Sequence, residues 1–120
     1  TGDPADARVL FERAVNAGLP DDLLFRTLWE LTTLDRKLGD HERCLVGLTD
    51  LAGAKNPYRV RAMEELAKHA EHRTKDPARA LEWTRAAMAH DESPELRHRE
   101  ERLLRRTAKR RSTAAGGPLL

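Results

Sequence analysis

Gly39-Asp40-His41-Glu42-Arg43-Cys44 and Lys75-Asp76-Pro77-Ala78-Arg79-Ala80 decide the fold, together with Gly2-Asp3-Pro4-Ala5-Asp6-Ala7 at the start of the chain. Each begins with a turn residue followed by Asp. Each places a small residue (Ala7, Cys44 or Ala80) four positions after that Asp. The Asp residues stand at 3, 40 and 76, so the motif returns after 37 and then 36 residues. A turn, a cap and a small helical residue at such a period are the signature of stacked helix pairs.

Working outward, the chain predicts six helices, about residues 4–16, 21–38, 41–53, 58–73, 77–90 and 94–110, within one repeat domain over residues 1–111. Asp3, Asp40, Asp76 and Ser93 are good caps, and Pro4, Pro77 and Pro94 fit the first helical position. Gly39 suits the residue just past a helix end. Leu24, Leu28, Leu31, Leu34 and Leu38 recur at helical spacing, as do Cys44, Leu45, Leu48, Leu51 and Ala52. The later stripes are Val60, Met63, Leu66, Ala67 and Ala70, then Ala80, Leu81, Trp83, Thr84, Ala87 and Met88, then Leu96, Leu103, Leu104 and Ala108. No segment alternates polar and apolar residues as a strand would. The expectation is an all-α, right-handed solenoid of antiparallel helix pairs, because one pair cannot bury its own stripe. Residues 112–120 are small and polar at first and predict a disordered tail.

Charged residues make up 35% of the 120, above the roughly 25% of an average domain, and aromatics only 4%. Thin helical layers with much exposed face suit that balance. The net charge of +2 hides a polarity: residues 97–111 carry +6 and the remainder −4. Cys44 is the single cysteine, so no intrachain disulfide can form. No apolar run approaches the roughly 18 residues of a spanning helix, and the start of the chain is neither basic nor apolar as a signal peptide would be. A cytoplasmic protein with no membrane contact is the expectation. Opening on Thr1 rather than Met, the chain reads as a fragment of a larger protein.

The sets Ala7, Phe11, Ala14, then Cys44, Leu48, Leu51, then Ala80, Thr84, Ala87 resemble the second helix of the tetratricopeptide repeat (TPR), whose unit is 34 residues. Thr84 departs from the large apolar residue of that pattern. Trp29 and Leu31 resemble the first helix, but Thr32 and Asp35 stand where Gly and Tyr usually follow. The resemblance implies a concave binding face made by the first helices of each pair. A second resemblance lies at Leu66-Ala67-Lys68-His69-Ala70-Glu71-His72-Arg73-Thr74-Lys75-Asp76-Pro77-Ala78-Arg79-Ala80-Leu81. This stretch is similar to the C-terminal helical region of bacterial proteins with an RNase-H-like exonuclease domain of the YprB type. It implies an accessory helical part of a nuclease whose metal ligands lie upstream, and not a nuclease in this chain.

Chemistry-bearing clusters are few. His69 and His72 could share a helix face with a zinc ion, but the His-Glu-x-x-His spacing is absent, and a polar face with Glu71 and Lys75 at i, i+4 is the stronger reading. His41 precedes Cys44 by three residues, yet the repeat already explains Cys44 as the small residue where two helices touch. No paired carboxylates suit two-metal chemistry and no glycine-rich loop suits a phosphate. No catalytic residue, metal or cofactor is expected.

The better candidate is the groove. Aligning the repeats places Arg26, Trp29, Thr33, Arg36 and Lys37 on it from the second helix, with Glu65, His69, His72 and Arg73 from the fourth. His98, Arg105 and Lys109 would follow from the sixth. This surface suits an acidic peptide, a C-terminal carboxylate or a phosphate backbone. The sixth helix carries Arg97, Arg99, Arg102, Arg105, Arg106, Lys109, Arg110 and Arg111. These make either a solubilising cap or a salt-sensitive nucleic-acid contact. A protein-interaction or scaffold module is therefore the leading expectation, and a nucleic-acid-engaging appendage of the nuclease the alternative. If nothing covers Leu10, Phe11 and Val15, the first helix would leave an apolar patch that pairs with a second copy of the chain.

Overall fold

A computed structural model of the chain describes Gly18 and residues 20–115. The described residues form five helices and no strand: α1 Asp21–Lys37, α2 His41–Ala52, α3 Arg59–His72, α4 Pro77–Met88 and α5 Pro94–Ala115. The count is five rather than six; the helix expected at 4–16, with its apolar patch, lies outside the described residues. The chain divides into two compact units, the first ending at Ala62 and the second beginning at Met63, so the boundary falls inside α3.

The two described hexapeptides share one backbone geometry. Gly39 and Lys75 both take the left-handed conformation, with φ of 78° and 55°. The Asp that follows then caps a helix: Asp40 Oδ1 accepts from the Arg43 amide at 3.2 Å, and Asp76 Oδ1 from the Arg79 amide at 3.0 Å. After Gly39 the Asp40 amide donates to the Asp35 carbonyl and the Gly39 amide to the Arg36 carbonyl. Those two bonds close α1 in a Schellman turn. Lys75 holds the left-handed position at a cost that glycine avoids. Lys75→Gly is expected to stabilise the second unit by about 0.5 kcal/mol, the strain relieved minus glycine's greater freedom when unfolded; a urea titration followed by circular dichroism measures it.

In the first unit α1 packs on α2. Leu28, Leu31, Thr32 and Asp35 are the buried residues of α1, facing Cys44, Gly47, Leu48, Leu51 and Ala52 of α2. Leu34 and Leu38, expected in the stripe, are 39% and 60% exposed. The seam is turned toward Thr32 because Gly47 lets it in: a Cβ on Gly47 would overlap Thr32 Oγ1. Below this contact the end of α2 is tied to the next turn. Asn56 Nδ2 donates to the Leu51 and Ala54 carbonyls, and Arg59 Nε to the Ala52 carbonyl.

The second unit closes α4 and α5 on the end of α3 around Ala70, Ala80, Leu81 and Leu103. Thr84, the departure from the repeat pattern, is fully buried and donates its hydroxyl to the Ala80 carbonyl at 2.8 Å. Ser93 caps α5 through the Leu96 amide. Helix α5 runs on to Ala115, so residues 112–115 are helical rather than part of the expected tail. Leu104 and Ala108, expected to face inward, are exposed. The inner face of α5 instead follows Leu96 and Leu103, both at most 2% exposed. Among the described residues no helix is long and apolar enough to cross a membrane.

Candidate functional site

Helix α1 carries the candidates of the first unit. Trp29 is half-buried and stacks on Tyr58, with ring centroids 5.5 Å apart and planes within 13°. The Arg61 guanidinium sits over the Trp29 ring at 4.8 Å. Both contacts are favourable for the electron-rich ring face. Trp29 is thus a braced aromatic rather than a freely exposed one. Arg26 pairs with Glu30 at 3.3 Å, and Thr33 donates its hydroxyl to the Trp29 carbonyl at 2.9 Å. Arg36 and Lys37 are exposed in the last turn, where cations complement the helix dipole.

The candidates on α3 and α5 belong to the second unit. Glu65 pairs with Lys68 at 3.2 Å, His69 is half-buried, and His72 and Arg73 are exposed. Between them, Glu71 is the residue on which this unit turns. Its side chain is 1% exposed, and three arginines of α5 converge on it. Arg102 is bidentate, Nη2 donating to Oε1 at 2.7 Å and Nε to Oε2 at 3.0 Å. Arg99 Nη1 donates to Oε1 at 3.0 Å and Arg106 Nη1 to Oε2 at 2.8 Å. Each carboxylate oxygen therefore accepts two charge-assisted bonds, which fills its lone-pair sites. Burial alone would raise this carboxyl, but the Arg102 hydrogen bond and the charges of Arg102, His72 and Arg106 outweigh it and hold the pKa below its ordinary value. The pairing expected between Glu71 and Lys75 gives way to this clamp. The Lys75 carbonyl instead accepts from Arg110 Nη1 at 2.7 Å.

No protein-family model, curated protein or solved structure matches the chain.

Helix α5 does not present all its cations outward. Arg99, Arg102 and Arg106 hold Glu71, Arg110 holds a backbone carbonyl, and Arg97 pairs with Glu92 at 3.2 Å. Lys109 is exposed and also has a partner. Arg105 and Arg111 are exposed and make no ion pair among the described residues. Cys44 is buried and forms no disulfide, and among the described residues no three His, Cys, Asp or Glu side chains gather as a metal cluster would. Sequence reasoning missed Glu71. The signal was the register of Leu96, Arg99, Leu103 and Arg106, which alternates leucine and arginine along one helical seam. Arginines interleaved with core leucines need a counter-charge opposite them.

Proposed function

We propose that this chain is a non-catalytic, TPR-like interaction module, the binding or scaffold part of a larger protein, and that α1 takes an acidic peptide. The observation that supports this most is the brace around Trp29. Tyr58 and Arg61 hold the indole in place, and Arg26, Arg36 and Lys37 lie at helical spacings from it on α1. A fixed aromatic among cations loses little freedom on binding and matches a peptide with carboxylates beside an apolar side chain. A solenoid built from the repeated turn-and-cap motif would extend such a surface from pair to pair.

The nucleic-acid reading comes second. It draws on Arg105 and Arg111, which make no ion pair among the described residues, while the other six cations of α5 already have partners within the chain.

Fluorescence anisotropy separates the two. A labelled acidic peptide is expected to bind, and Trp29→Ala to weaken it about tenfold or more, as loss of an aromatic anchor does. Binding of the peptide should survive moderate salt. Nucleic-acid binding that collapses with salt, with no peptide binding, would replace the leading reading. Melting curves confirm that Trp29→Ala remains folded.

A further inference from the structure

We propose that the second unit binds a phosphate-type oxyanion in chain form, such as a diphosphate, along the ladder Arg102, Arg106 and Arg110. One carboxylate stands against three guanidiniums, and its two oxygens are already saturated. Glu71 therefore fixes the arginines in place without neutralising them all. No second carboxylate reaches Arg99, Arg102 or Arg106 among the described residues. The surplus is also accessible: the Arg102 and Arg106 side chains are 35% and 53% exposed, and neighbouring His72 is 64% exposed.

The donors are available as well. Among the described residues Arg106 spends only Nη1 on Glu71, and Arg110 only Nη1 on the Lys75 carbonyl. Each keeps its Nε and Nη2 protons for a ligand, in the planar fork that suits phosphate oxygens. Arginines at i, i+4 and i+8 follow one another at about 6 Å along the helix. That repeat suits linked phosphoryl groups better than a single one.

The ladder leads to a concavity. Arg110 and Arg111, with Thr107, Asp76, Pro77 and Ala78, line an open cavity of ≈ 300 Å³ between the end of α5 and the start of α4. The Asp76 carboxylate on its rim already accepts from the Arg79 amide. A diphosphate would seat one phosphoryl group here between Arg110 and Arg111 and place the other toward Arg106. Arg106 and Arg110 are held in advance, so of these arginines only Arg111 remains to be ordered on binding.

Isothermal titration of the full chain with inorganic pyrophosphate, at constant ionic strength set with chloride, tests this. Saturable binding is expected in the wild type. Arg110→Gln should weaken it roughly tenfold, the loss of a charge-assisted bond. Arg106→Gln should do the same if it folds, and Arg110→Gln carries the test if it does not. Lys55→Gln removes the same charge from an exposed position in the first unit and should leave binding unchanged. Absence of saturable pyrophosphate binding to the folded chain overturns the proposal. So does an Arg110→Gln affinity equal to wild type, or binding of a single-stranded oligonucleotide without binding of pyrophosphate.

Discussion

Replacing Glu71 by Gln is expected to destabilise the second unit by about 3 kcal/mol, because breaking a buried ion pair strands the partners' charge. The amide keeps the shape but presents donors to three guanidiniums. Part of their charge can relax into water, since Arg106 is 53% exposed while Arg99 is only 19% exposed, and this keeps the loss at the lower end of the range for buried pairs. The pH dependence gives a second readout. A carboxyl whose folded pKa lies below its ordinary 4.5 contributes stability that is whole above that value and is lost as pH falls through the lower folded one. The wild-type melting temperature should therefore drop in acid more than that of Glu71→Gln, and the gap between them should narrow below about pH 4.5. Calorimetric melts across that window decide it; a gap that stays constant with pH would show that the clamp does not act through charge.

Gly47→Ala should cost the first unit about 2 kcal/mol, as overpacking a helix seam does even after the gain in helix propensity. The added methyl meets Thr32 head-on, and α1 must back away from α2. Thr32 is itself an uneasy tenant. Its Oγ1 is buried with no hydrogen-bond partner among the described residues, whereas the equally buried Thr84 hydroxyl finds the Ala80 carbonyl. Thr32→Ala should thus be near neutral, trading lost contact against a removed orphan oxygen. Combined with Gly47→Ala it should recover most of the loss. Chemical denaturation of the four proteins gives the coupling energy directly. Additive effects would mean that the two residues do not meet.

How much of this could be read in advance depends on whether a residue's role is local. The turns and caps were legible because Gly39, Asp40, Lys75 and Asp76 act within a few residues of themselves. The small residues Cys44 and Ala80 were legible because the repeat fixes their depth. The face of α1 was not, since Leu34 and Leu38 have the spacing of a stripe and only the Thr32–Gly47 approach decides which leucines are covered. The arginines of α5 were legible as charge and illegible as structure, because their partner lies on α3, some thirty residues earlier in the chain. Glu71 also bears on the stretch that resembles the nuclease-associated region. Leu66, Ala67, Ala80 and Leu81 of that stretch are core, Asp76 is a cap, and Glu71 is the clamp. Packing, capping and the clamp account for those six residues, while Lys68, His72 and Arg73 of the same stretch are exposed.

The clamp also orders events in time. Glu71 and its arginines are 28 to 35 residues apart in sequence. A chain emerging from its N-terminus presents the carboxylate well before any guanidinium that can satisfy it. Until α5 has been made, Glu71 must stay hydrated, and the end of α3 cannot settle against α4 in its final form. The final form of the second unit therefore depends on its last helix, which carries all three arginines of the clamp.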